Sequence, residues 1–174
     1  MKTPKELNVF VVDDDKLFTT SLTHQLEKMF PVKTSVHCFG TGEECIRHLE
    51  RSPDIILLDY YLSGSSQKAM NGLQVLDRIM KQKPSTKVIM ISGQDKIEVA
   101  VDTIRHGAYD YIIKNDRAML RTKLVMTNAV HAIAVNKEVR NYKFWLRIAS
   151  GFILLLIAAC VIIQLNFPHT FDRP

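Results

Sequence analysis

The stretch VFVVDDD, residues 9–15, sets four apolar residues in a row and ends them on three aspartates. A strand with one wet face alternates apolar and polar residues, whereas an uninterrupted apolar run marks a strand covered on both faces, the habit of parallel sheets flanked by helices. Outward from it the same form returns as IILLD at 55–59 and VIMIS at 88–92. Two further β-type runs complete the pattern, so strands are predicted at Asn8 to Val12, Thr34 to Phe39, Asp54 to Leu58, Lys87 to Ile91 and Tyr109 to Ile113.

Helical stripes lie between them. Phe18, Leu22, Leu26 and Met29 follow an i, i+4, i+8, i+11 spacing, and Leu73, Leu76, Ile79 and Met80 make a second stripe. Ile46 and Leu49 mark a short helix, and Ile97, Ala100, Val101 and Ile104 mark another that stops at Gly107. A fifth begins near Arg117 and meets no Pro or Gly before Gly151. Strand and helix therefore alternate five times, which predicts an α/β fold: a five-stranded parallel sheet, doubly wound as (βα)5. No internal repeat is present, and Ser63-Gly64-Ser65-Ser66 reads as a flexible loop.

The charge is unevenly placed. The 174 residues carry a net +5, but residues 1–116 hold 15 Lys/Arg against 16 Asp/Glu, and residues 117–147 hold 7 against 1. That basic stretch leads into Ile148 to Leu165, eighteen residues without Asp, Glu, Lys or Arg. At about 1.5 Å per residue this is roughly 27 Å of helix, close to the ~30 Å hydrocarbon core, so a single transmembrane helix is predicted there. Lys137, Arg140, Lys143 and Arg147 precede the span and only Arg173 follows it, which places residues 1–147 on the cytoplasmic side of the cell membrane and the tail outside. Tyr142, Phe144 and Trp145, with Phe167 and Phe171 beyond, are suited to interfacial anchoring. The divisions expected are a domain over 1–135, a basic juxtamembrane helix over 136–147, a membrane helix over 148–165 and a short tail over 166–174. A secretory signal is excluded, because residues 1–10 lack an apolar core. Cys38, Cys45 and Cys160 have no metal-ligand spacing and read as reduced packing residues.

In such a sheet the functional crevice lies beyond the carboxyl ends of the strands. There stand Asp13, Asp14 and Asp15 after the first strand, Asp59 after the third, Ser92 after the fourth and Lys114 after the fifth. Carboxylates gathered from two strand ends repel unless a cation joins them, and hard oxygen ligands with room for water suit Mg²⁺. A hydroxyl and an ammonium facing that cluster suit a phosphoryl group, with Asp59 as nucleophile in an aspartyl phosphate. Asp15 reads instead as the cap of the helix beginning near Leu17.

The runs VFVVDDD, DIILLDYYL, VIMISGQD and HGAYDYIIK resemble the receiver domain of bacterial two-component response regulators over roughly Leu7 to Val135. The resemblance implies the flavodoxin-like, CheY-like fold. It implies that Asp13, Asp14, Asp59 and the backbone carbonyl of Tyr61 hold Mg²⁺, and that Asp59 takes the phosphoryl group from a sensor histidine kinase or histidine phosphotransfer protein. It further implies that Ser92 and Lys114 bind the phosphoryl oxygens, and that Tyr111 turns inward as Ser92 moves. Three departures stand out: Asn115 follows Lys114 where the family usually has Pro, Leu62 to Asn71 lengthens the loop before Gly72, and Tyr61 and Gln94 hold two positions that influence phosphoryl hydrolysis. The bulk of Tyr61 predicts a long-lived phospho-form.

About thirty residues separate the fifth strand from the span, so output is expected through contacts of the fourth and fifth helices with an unidentified downstream protein. Those helices also offer a homodimer face, and Met126, Val130 and Ile133 read either as receiver core or as part of such a seam. The basic residues are spread over the fifth helix rather than clustered, which argues against nucleic acid as a partner. Two alternatives share the sequence: a pseudo-receiver scaffold at the membrane that is never phosphorylated, and a phosphate sink that drains a kinase.

Overall fold

The computed structural model describes residues 6–62 and 69–166. The Ser63 to Ser66 loop and, in the tail, Phe167, Phe171 and Arg173 lie outside the described residues. The strands are β1 (Glu6–Val12), β2 (Lys33–Phe39), β3 (Ile55–Asp59), β4 (Lys87–Ser92) and β5 (Asp110–Ile113), and the helices are α1 (Lys16–Met29), α2 (Gly42–Arg47), α3 (Gly72–Gln82), α4 (Ile97–Arg105) and α5 (Ala118–Asn166). The sheet order is β2-β1-β3-β4-β5 and every pairing is parallel.

The apolar runs split by parity, as a pleated strand requires. Val9 and Val11 join Leu22 and Leu26 of α1 and Val125, Met126 and Ala129 of α5 in one core layer. Phe10 and Val12 join Cys45, Val75, Leu76 and Ile79 in the other. Each fully buried Leu or Ile contributes about 2 kcal/mol, so both sheet faces must be covered for VFVV or IILL to be stable there.

Local chemistry sets the helix ends. Asp15 caps α1, its Oδ1 accepting from the N–H groups of Leu17 and Phe18 at 2.9 and 3.1 Å. Asn71 and Gln74 form a capping box at the start of α3. Gly107, at φ +98°, closes α4 in a conformation that a Cβ would strain. Asn115 turns the chain into α5 by accepting from the Arg117 N–H on Oδ1, and its peptide bonds are trans.

Two stripe readings are settled by burial. Met126 and Val130 are core residues with Ile133 packed against them, so they are not a dimer seam. The α4 stripe points outward: Ile97, Val101 and Ile104 face solvent, and the buried residue of that helix is Thr103, whose hydroxyl is satisfied by the Ala100 carbonyl. The side with the larger side chains is thus the outer side.

The chain divides into two compact units, Met1–Ala134 and Val135–Pro174. The second is helical as far as Asn166. By length and composition α5 is the one helix among the described residues that could cross a membrane, and its apolar window is unburied.

Gly72 shows how tightly the site is framed. A Cβ there would lie 2.7 Å from the Tyr60 Cα and 2.8 Å from the Tyr60 carbonyl oxygen, and would also strike the Asp59 carbonyl. Gly72→Ala is therefore expected to destabilise the fold by about 2 kcal/mol, whereas Gly40→Ala, with nothing within 4 Å, leaves it unchanged. Urea unfolding followed by the tyrosine near-ultraviolet circular dichroism separates the two outcomes.

Candidate functional site

The reversal of strand order beside β1 opens a crevice at the carboxyl ends of β1 and β3, where the topology brings loops from both sides of the sheet together. Asp13 and Asp14 follow β1, Asp59 ends β3, Ser92 ends β4 and Lys114 follows β5. All five stand at this end of the sheet. The carboxylates of Asp13, Asp14 and Asp59 offer ligand atoms within 4.8 Å of one another. Asp13 and Asp59 are buried and Asp14 is exposed.

Lys114 ties the cluster. Its Nζ lies 2.7 Å from Asp13 Oδ2 and 2.8 Å from Asp59 Oδ2, and 4.8 Å from the centre of the Phe18 ring. Burial raises the Asp59 carboxyl above its ordinary value, against the opposing pull of the Lys114 hydrogen bond and charge. Burial also pulls the Lys114 ammonium downward, but the hydrogen bonds and charges of Asp13 and Asp59 outweigh it and leave the group raised. The backbone fixes the remaining oxygens: the Asp15 N–H donates to Asp13 Oδ1 at 3.0 Å and the Tyr61 N–H to Asp59 Oδ1 at 3.2 Å.

Three carboxylates converging from two loops, one of them open to solvent, form a hard oxygen donor set of the type that suits Mg²⁺. The donor set fits that ion, and receiver domains typically bind Mg²⁺ in such an acidic pocket. The Tyr61 carbonyl lies two residues beyond Asp59 on the same loop.

A second layer joins the site to β5. Ser92 is fully buried, and its Oγ accepts from the Gln94 N–H at 3.1 Å. The Tyr111 hydroxyl donates to the Gln94 carbonyl at 2.9 Å. Burial pushes the Tyr111 phenol up, with the Ser92 hydroxyl opposing. Above this layer the Tyr61 hydroxyl donates to Gln94 Oε1, so one side chain bridges the loops after β3 and β4. Tyr111 is thus half-buried, with its hydroxyl held by the Gln94 backbone.

Sequence reasoning missed three contributors. Phe18, read only as core, also lies under the Lys114 ammonium, and its signal was its place one turn past the Asp15 cap. Gln94, noted for hydrolysis, is also the hydrogen-bonding hub between Ser92, Tyr61 and Tyr111. Glu43 of α2 accepts from the Met70 N–H at 2.7 Å, which pins the far end of the long β3–α3 loop and holds the Glu43 carboxyl below its usual range. No spacing in the sequence signals that last contact. A cleft of about 590 Å³ between α1 and β2 shares Asp13 and Asp14 as part of its wall and runs past Thr23, His24 and Cys38.

Known proteins share this arrangement. The family model of the response regulator receiver domain matches residues 9–125. The nitrogen assimilation regulatory protein NtrX of Azorhizobium caulinodans is 40% identical over 137 residues, covering 78% of this chain and 29% of that protein. The luminescence regulatory protein LuxO of Vibrio campbellii is 34% identical over 113 residues, covering 64% of this chain and 24% of that protein. The crystal structure of the NtrX receiver domain from Brucella abortus matches with a TM-score of 0.62 at 33% identity, covering 71% of this chain and 98% of that one. The chain spans less than a third of the length of these curated relatives. With the acidic cluster, the Lys114 tie and the strand order all in place, the chain belongs to the response regulator receiver domain family.

Proposed function

We propose that this chain is a membrane-anchored receiver that accepts a phosphoryl group on Asp59 from a phosphohistidine of a sensor histidine kinase or histidine phosphotransfer protein, and signals through protein contacts. The observation that carries the phosphoacceptor reading is the pair of 2.7 and 2.8 Å contacts by which Lys114 holds Asp13 and Asp59 together. An Asp59 carboxylate oxygen attacks phosphorus, the O–P bond forms as the P–N bond breaks, and the electron pair of that bond leaves with the imidazole. Asp13, Asp14, Asp59 and the Tyr61 carbonyl would hold Mg²⁺, which would supply positive charge to the phosphoryl oxygens. Lys114 exchanges part of its contact with Asp59 for a phosphoryl oxygen, and the Ser92 hydroxyl donates to another. Ser92, Gln94 and Tyr111 share hydrogen bonds, so a displaced Ser92 rearranges the Tyr111 hydroxyl contact. The exposed α4 residues Ile97, Val101 and Ile104 lie on the next element and supply the face that a downstream protein reads.

The membrane reading rests on the uncharged run Ile148 to Leu165, on the unburied apolar window of α5 and on Lys137, Arg140, Lys143 and Arg147 before it in the sequence. Each such cation is worth about 1 kcal/mol beside anionic lipid. In this reading residues 136–147 are the juxtamembrane segment, 148–165 the span, and the receiver lies on the cytoplasmic side of the cell membrane.

Incubation of the chain with a small phosphodonor and Mg²⁺ is expected to add one phosphoryl mass, and Asp59→Asn to abolish it. Absence of Mg²⁺-dependent modification at Asp59, from a small donor and a cognate kinase alike, refutes the phosphoacceptor reading and favours the scaffold. The phospho-form is expected to decay about threefold faster in Tyr61→Ala, because the net worth of the lost hydrogen bond to Gln94 corresponds to a change of that order. An unchanged decay rate removes Tyr61 as a barrier to water. On expression, the full chain is expected in the alkali-resistant membrane fraction and a chain ending before Phe144 in the soluble one. Equal partitioning of the two speaks against the anchor.

A further inference from the structure

The second unit carries an apolar stripe that the phosphoacceptor chemistry does not use and that runs from the juxtamembrane residues into the proposed span. Val135, Val139, Tyr142, Leu146, Ala149, Ile153 and Leu156 repeat at alternating steps of four and three. That is a heptad with Val139, Leu146 and Ile153 at a, and with Val135, Tyr142, Ala149 and Leu156 at d. The six larger side chains of this stripe are between 46% and 68% exposed. Lys137 falls at an outer f position and Arg147 at an outer b position.

The charges choose the occupant. Glu138 is the single acidic residue among positions 117–147, and it stands at g; Lys143 stands five residues on, at e. In a parallel pair in register, g of one helix meets e of the next heptad on the other, so Glu138 meets Lys143 of the partner subunit twice across the dimer axis. An antiparallel pair would set g against g and e against e, and would lose both contacts. Among the described residues neither Glu138 nor Lys143 has an ion-pair partner. Val139 and Ile153, two of the three a positions, are β-branched and Leu156 stands at d, the combination that favours two strands.

We propose that Val135 to Leu156 form a parallel, in-register seam with a second copy of this chain, with register set by Glu138 and Lys143. The inference goes beyond the function proposed above: it needs no phosphoryl group, and its test in mild detergent does not depend on whether the helix spans a bilayer.

Sedimentation equilibrium of the full chain in mild detergent is expected to show a dimer. Glu138→Lys and Lys143→Glu are each expected to weaken it by about three- to tenfold, the range for two exposed ion pairs replaced by like charges, and the double exchange to restore it. A monomer at all concentrations overturns the proposal, and so does a double exchange no tighter than the single ones. In a background with Cys38 and Cys160 replaced by Ser, oxidation is expected to cross-link Val139→Cys and to leave Lys137→Cys monomeric. Equal cross-linking at both positions, or at Lys137→Cys alone, overturns it as well, as expected for a helix lying singly on a lipid surface.

Discussion

The contact of the Lys114 ammonium with two buried carboxylates is the constraint around which the receiver unit is arranged. At about 4 Å and an effective dielectric constant near 20, two unit charges interact by about 4 kcal/mol, enough to matter against the cost of burying Asp13 and Asp59 together. The compensation is partial. Asp59 keeps a raised pKa, so its contribution to stability is present below the ordinary carboxylate value and is lost as pH rises through the raised one. Two buried carboxylates share one ammonium, so the site carries an excess of acceptor oxygens that a further cation would offset.

The same contact connects the acidic cluster to the rest of the sheet. Lys114 reaches Asp59 only because β5 pairs with β4 and the Lys114 N–H donates to the Ser92 carbonyl at 2.6 Å. Ser92, Gln94 and Tyr111 then form a chain of hydrogen bonds one residue removed from the charges. Ser92 and Tyr111 are thereby joined through Gln94, whose N–H donates to the Ser92 hydroxyl and whose carbonyl accepts from the Tyr111 hydroxyl. Packed cores respond to local changes by moving between discrete arrangements rather than by continuous deformation.

The strands were legible because burial on both faces leaves a continuous apolar run, and VFVV, IILL and VIMI are each of that kind. The site was legible because the crevice rule turns strand ends into a list of neighbours, which gathered Asp13, Asp59, Ser92 and Lys114 without any coordinates. The α4 side was not legible. Periodicity finds a stripe but not the direction in which it points, and α4 seats Thr103 inward while Ile97 and Ile104 stay outside. The pairing of Glu43 with the Met70 backbone was equally hidden, because a side chain reaching a distant N–H leaves no periodic trace.

In α5 the phase of the stripe explains what its composition alone does not. Met126, Val130 and Ile133 step by four and three into the receiver core, and the next steps of the same phase fall on Lys137 and Arg140. A core stripe cannot continue onto those residues, since burying unpaired cations costs far more than the apolar contacts beside them return. The apolar phase instead restarts two residues beyond Ile133, at Val135, where the second compact unit begins. A helix whose core phase ends on cations while a new apolar phase starts is specified for two successive environments. The residue that changes the phase, rather than the total hydrophobicity of the segment, marks where the receiver stops.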